Sequence, residues 1–226
     1  MSTPFETAVV DIDGTLLDSN YHHALAWSRA FAHVGRSVAL WRIHRHLGMG
    51  GDKLVGAVAG DEAEAQVGDE VRDRWEKEYD AIIEETRLFG GARGLLDALR
   101  GAGLKVVLAS SSIPRHADHA LELLDARSRT DAWTTADDAS ETKPHPELLD
   151  VALERVGGGR AVMIGDSVWD VAAANERAVP TLALRSGGFG AAELLEAGAA
   201  ATYDDPRDLT EHLDEALDQA ARAGRS

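Results

Sequence analysis

Val9-Val10-Asp11-Ile12-Asp13-Gly14-Thr15-Leu16-Leu17-Asp18-Ser19 is the stretch on which the reading of this 226-residue chain turns. Ala8, Val9 and Val10 form a short apolar run behind Phe5, as in a buried strand, and Gly14, right after the second aspartate, ends it in a turn. Asp11 and Asp13 therefore stand at the carboxyl end of a first strand, the edge of an open α/β sheet where ligands bind. Two carboxylates one residue apart at a buried edge each need a cation or a proton to offset the other. A divalent cation would supply that charge.

Asp11-x-Asp13-Gly14-Thr15-Leu16-x-Asp18-Ser19 resembles the first signature of the haloacid dehalogenase superfamily, in its phosphatase branch. The resemblance implies that Asp11 attacks phosphorus and becomes an aspartyl-phosphate, while Asp13 is the general acid and base. It also implies that three further signatures follow in order.

Composition frames the search for them. The length allows one domain, or one with a substantial insertion. With 44% hydrophobic residues and no long apolar run, the chain reads as a soluble globular protein, and the start Met-Ser-Thr-Pro-Phe-Glu has neither a basic nor an apolar leader. A cytoplasmic enzyme is expected, with no membrane partner. The absence of cysteine excludes disulfides, thiolate nucleophiles and Cys-ligated zinc. A net charge of −16 argues against nucleic acid or anionic membrane as a partner, and demands that positive charge gather wherever an anionic phosphate binds.

Downstream, Leu104-Lys105-Val106-Val107-Leu108-Ala109 is a buried strand by its apolar run and ends in Ser110-Ser111-Ser112. A serine triplet there suits a helix N-cap before Pro114. It also resembles the second signature, in which the Ser110 hydroxyl bonds the transferring phosphoryl oxygen and Ser111 adds a donor. After a short strand over Thr130–Thr135 comes Lys143-Pro144-His145-Pro146, where two restricted φ angles fix the lysine at a helix start. This resembles the third signature, whose lysine balances aspartate and phosphate. Next, the apolar strand Ala161–Gly165 ends in Asp166-Ser167-Val168-Trp169-Asp170, with two aspartates four apart at a helix opening, able to face one side. Oxygen ligands from Asp11 and Asp166, the Asp13 carbonyl and waters suit octahedral Mg2+. The fourth signature is similar, and leaves open whether Asp170 ligates directly or through water. Runs at Pro180–Leu184 and Ala200–Tyr203 and a final helix from Pro206 to about Arg222 complete an α/β fold, a parallel Rossmann-like sheet wound by helices.

Between first strand and remainder, residues 20 to 89 carry helical spacing with no strand: Tyr21–Phe31, Val38–Leu47, Lys53–Val58, and Asp61 to about Thr86, with a stripe of Val71, Trp75, Tyr79, Ile82 and Ile83. Such an insertion resembles the helical cap of many haloacid dehalogenase phosphatases, giving a core of residues 1–18 and 90–226 and a cap of 19–89. Arg36, Arg42, Arg45 and Lys53 face a single acid, Asp52, over residues 36–53. A solvated face explains any one of them. As a cluster in an acidic chain they suit a lid over an anion, with Lys53, Arg45 and His23 as cap-side contacts and Gly48-Met49-Gly50-Gly51 as a turn that approaches the substrate closely.

Branches of the family differ at single residues. Dehalogenases and phosphonoacetaldehyde hydrolases lack an aspartate at the position of Asp13, so its presence points to phosphate esters. Met49-Gly50-x-x-Lys53 resembles the segment where phosphonoacetaldehyde hydrolases keep an imine-forming lysine, and β-phosphoglucomutases have a histidine placed like His23 but an arginine where this chain has Gly51. The resemblance thus implies a magnesium-dependent phosphatase, monomer or homodimer, acting on a small phosphorylated metabolite such as phosphoglycolate or a sugar phosphate. A mutase, an imine-forming hydrolase using Lys53 and a non-catalytic binding protein are the alternatives.

Overall fold

In the computed structural model, which describes residues 3–224, the chain builds in order β1 (Thr7–Val10), β2 (Leu17–Asp18), α1 (Asn20–His33), α2 (Leu40–His44), α3 (Gly51–Ala59), α4 (Asp61–Asp80), β3 (Arg87–Leu88), α5 (Ala92–Gly101), β4 (Lys105–Ala109), α6 (Pro114–Leu124), α7 (Ala126–Arg129), β5 (Ala132–Thr134), α8 (Glu147–Arg155), β6 (Ala161–Gly165), α9 (Val168–Asn175), β7 (Thr181–Leu184), α10 (Ala191–Glu196), β8 (Ala201–Tyr203), α11 (Pro206–Glu211) and α12 (Leu213–Ala223). Six strands form one sheet in the order β5-β4-β1-β6-β7-β8, and every pairing in it is parallel.

The period of two along each strand explains why both faces are covered. Ala8 and Val10 of β1, Val106 and Leu108 of β4, and Val162 and Ile164 of β6 pack against Leu95, Leu96 and Leu99 of α5 and Leu209, Leu213 and Leu217 of α11 and α12. The alternate residues Val9, Val107 and Met163 turn to the other face, against Leu148, Leu149 and Ala152 of α8. Fully burying a side chain such as Leu96 or Val9 contributes about 1.5–3 kcal/mol. Truncating Leu96 to alanine would cost about 2–5 kcal/mol, because the surrounding helices and sheet collapse only partly onto the cavity.

Helices α1–α4 bury a separate apolar cluster that includes Trp27, Phe31, Ile43, Val55, Val71, Trp75 and Tyr79. This segment leaves and rejoins the sheet through an antiparallel ribbon, with Leu17 opposite Leu88 and Asp18 opposite Arg87. The sequence reading places no strand between 20 and 89, so β3 is a correction; two residues are too short to display a period. Other boundaries also move. Helix α4 stops at Asp80 and a 3-10 turn follows at Ile83–Glu85, α2 keeps only five residues, and the last helix divides at His212. No helix of the described residues is long and apolar enough to cross a membrane.

Candidate active site

Asp11, Ser110 and Asp166 each directly follow a strand, β1, β4 and β6, and these three strands are neighbours in the sheet. Parallel pairing therefore delivers all three side chains to one edge. Lys143, from the loop before α8, is buried there, its ammonium paired with Asp11 Oδ1 and, at 2.7 Å, with Asp170 Oδ1. Asp170 is aimed by the start of α9. It is the third helical residue of a capping box in which the Ser167 amide and hydroxyl donate to Asp170 Oδ2 at 3.1 and 2.7 Å, which leaves Oδ1 for the lysine. Asp166 accepts from Thr15 Oγ1 (3.0 Å) and Asn20 Nδ2 (3.0 Å).

Asp11, Asp166 and Asp170 bring carboxylate oxygens within 4.8 Å of one another, all three buried. One ammonium cannot balance three carboxylates. Burial pushes the Asp11 carboxyl up to about 7 against the pull of Lys143, with Asp170 and Asp13 adding to the rise. Burial also raises Asp166 well above the usual carboxylate range, helped by Asp170 and Asp11 and opposed by the Asn20 and Thr15 hydrogen bonds. Burial alone would favour a neutral Lys143, but Asp11 and Asp170 outweigh it and hold the ammonium charged. A cluster of hard oxygens short of positive charge is a donor set that fits Mg2+.

Asp13 has the opposite environment. Ser19 Oγ donates to its Oδ1 at 2.5 Å, His23 Nε2 lies 3.3 Å from the same oxygen, and Ser112 Oγ donates to Oδ2 at 2.8 Å. Burial pushes this carboxyl up, but the bonds from His23, Ser19 and Ser112 win and hold it well below the usual range. His23 is itself fixed by stacking on Tyr79 of α4, ring centroids 3.8 Å apart.

A cavity of about 50 Å3 lies between this edge and α1–α4, floored by Asp11 and Asp13 and walled by His23, Gly51, Trp75, Ser111 and Ser112 among others. Of the substrate contacts expected from sequence, His23, Gly51 and Ser111 line it. Lys53 and Arg45 do not. The Lys53 ammonium donates to Glu141 Oε2 (3.1 Å) and to the Thr142 carbonyl (3.0 Å), and Arg45 pairs with Glu193 while lying 4.3 Å from the centre of the Phe189 ring. In so acidic a chain, a cation at the edge of the helical segment meets an acid of the core before it meets the cavity.

Ser110 is buried and its hydroxyl accepts from the Ser112 amide at 3.1 Å. Sequence reasoning passed over Ser112 as a site residue, as it did Thr15, Ser19 and Asn20. The available signal was their position inside or beside the motifs already singled out.

The profile of the haloacid dehalogenase-like hydrolases matches residues 5–176, all four strand-end motifs included. The chain belongs to that family. A second profile, of HAD-like hydrolases, matches residues 141–216. A phosphoglycolate phosphatase of Xylella fastidiosa is 31% identical over 180 residues, 78% of each chain. The N-acetylmuramic acid 6-phosphate phosphatase of Pseudomonas aeruginosa is 28% identical over 94% of this chain and 96% of its own. A hydrolase from Pseudomonas syringae superposes with a TM-score of 0.87 at 32% identity, covering 93% of this chain and 98% of that one. A β-phosphoglucomutase from Clostridium difficile, at 20% identity and a TM-score of 0.78 over 96% and 99%, shares the fold. With such relatives, this HAD-like hydrolase is an enzyme of the phosphoric monoester hydrolase class.

Proposed function

We propose that this hydrolase cleaves a small phosphate monoester, of phosphoglycolate or sugar-phosphate type, through a covalent aspartyl-phosphate on Asp11. The observation that carries the reading is the pair of aspartates in opposite environments, Asp11 against Lys143 among buried carboxylates and Asp13 held by three polar side chains at the cavity floor. An Asp11 oxygen attacks phosphorus and the ester bond to the leaving oxygen breaks. Asp13 protonates that oxygen, its affinity for the proton raised by the incoming dianion against the bonds that hold it low. In the second half, Asp13 takes a proton from water, the water oxygen attacks phosphorus, and inorganic phosphate leaves with Asp11 restored.

Lys143 offsets charge on the phosphoryl oxygens and Ser110 would donate to one of them. Asp11, Asp166 and Asp170, with the main-chain carbonyl of Asp13, would hold Mg2+, whose contribution when bound is to offset the charge gathered on the transferring group. Residues 19–89 act as a cap over a core of 1–18 and 90–226, excluding water from the first half-reaction. Lys53 does not line the smaller cavity and its ammonium is engaged by Glu141 and Thr142, which supports ester hydrolysis over an imine mechanism. A cytoplasmic setting and a small phosphorylated metabolite as partner accord with this chemistry.

The test is phosphate release from p-nitrophenyl phosphate with and without magnesium, with Asp11→Asn as control. Release that survives in the variant, or none from the wild type on any monoester, overturns the proposal.

A further inference from the structure

The cavities at this site hold little free positive charge. Among the described residues no lysine or arginine lines the smaller one, Asp11 and Asp13 form its floor, and its imidazole, His23, is engaged by Asp13. Gly51, Trp75 and Ser111 also wall a second cavity of about 200 Å3, between α3–α4 and the core loop of residues 136–142. Its acids are Asp52 and Glu76. Its cation, Arg72, is already held by both oxygens of Glu64 (3.1 and 2.7 Å) and by Asp69 (2.8 Å). The positive end of α3 already carries Asp52 in its first turn.

What the shared wall does offer is hydrogen-bonding capacity. Trp75 Nε1 and Ser111 Oγ are buried polar atoms with no partner among the described residues. A buried donor without an acceptor is destabilising, and a ligand oxygen relieves it. Trp27, Leu47 and Met49 supply apolar surface beside them.

Resting on the phosphatase reading above, we infer that the leaving group selected here is uncharged and hydroxyl-bearing, of sugar or polyol type, seated in the larger cavity with Trp75 and Ser111 donating to its oxygens. A carboxylate two bonds from the ester oxygen, as in phosphoglycolate, would lie in the smaller cavity beside Asp11 and Asp13, where no lysine or arginine of the lining meets it and Lys143 is already committed to Asp11 and Asp170, and an unpaired buried charge is costly. The two substrate types proposed above are thereby separated, and Trp75 and Ser111 become specificity-determining residues.

The experiment is steady-state kinetics of the full chain with magnesium on hexose, pentose and glycerol phosphates and on phosphoglycolate, with p-nitrophenyl phosphate reporting phosphatase activity as such. The best neutral substrate should exceed phosphoglycolate in kcat/KM by about tenfold or more. Trp75→Phe keeps the aromatic stack on Trp27 and deletes the N–H; it should raise KM for that substrate about five- to tenfold with kcat little changed, and Ser111→Ala should act in the same direction. Turnover of p-nitrophenyl phosphate together with a preference for phosphoglycolate, or with a KM that neither variant moves, overturns this inference and leaves the phosphatase reading standing. No release from any monoester overturns both.

Discussion

Lys53 donates to the main-chain carbonyl of Thr142, the residue directly before Lys143, at 3.0 Å. The Thr142 hydroxyl accepts from the Gly50 amide at 3.0 Å and donates to Asp52, so the start of α3 grips this one residue three times. The helical segment is thus fastened to the loop that presents the buried ammonium. Lys53→Met should lower kcat/KM by roughly three- to tenfold without abolishing turnover. Borohydride treatment during turnover should leave no adduct on the wild type by mass spectrometry. A reduced adduct at Lys53, together with a dead variant, would assign it a covalent role instead.

Asp11→Asn should abolish phosphate release, by about a thousandfold or more, since the amide cannot form the acyl phosphate. The protein should stay folded, and the loss of one of three clustered carboxylates should leave its thermal midpoint unchanged or higher. A midpoint lowered by many degrees would mean that the Lys143 pair outweighs the carboxylate repulsion.

On the proposed donor set, magnesium should stabilise the fold, by about 2.7 kcal/mol at a hundred times its dissociation constant, because the native cluster would bind it and the unfolded chain would not. Asp166→Asn should remove that dependence and the calorimetric binding signal with it. Equal midpoints with metal and with chelator in the wild type would contradict the donor set.

His116 of α6 and Asp80 at the end of α4 meet at 2.7 Å, and Arg115 reaches Asp80 and Glu76. Burial lowers the His116 pKa below 6.5, more than Asp80 raises it. The unfolded chain therefore binds more protons in the window beneath 6.5, so stability present above it is lost as pH falls through the folded value. Between pH 7 and roughly 5 the wild type should lose thermal midpoint relative to His116→Gln, a difference in which the opposite contribution of Asp11 and Asp166, whose raised carboxyls gain stability as pH falls, cancels. A constant difference between the two proteins across the range refutes the assignment.

Strands were legible because buried parallel strands are continuous apolar runs, as at Val106–Ala109 and Ala161–Ile164, and the motif residues directly follow them. The meeting of Asp11, Ser110 and Asp166 follows from that placement, while Lys143 joins them from the loop before α8 and Asp170 from the first turn of α9. The destinations of long cations were not legible, because Lys53 and Arg45 are decided by acids 88 and 148 residues away, Glu141 and Glu193. The serines failed for a subtler reason. Ser110, Ser111 and Ser112 are equivalent in composition, and only the turn after β4 shows that Ser112 reaches Asp13 while Ser110 supports the Ser112 amide. The ribbon β2–β3 escaped because two residues carry no pattern.

That ribbon has an architectural consequence. Because Asp18 and Arg87 are paired neighbours, the two ends of everything between them emerge side by side, about 5 Å apart, as the ends of a hairpin loop would. Nearly seventy residues therefore hang from the sheet at a single address without stretching or re-routing its connectivity. Such a segment is exchangeable as a module: a different set of helices, or a short turn, fits the same two strands. Selectivity can then drift while the strand-end chemistry stays fixed, with His23 on Asp13 as a cross-link that a replacement has to reproduce or do without.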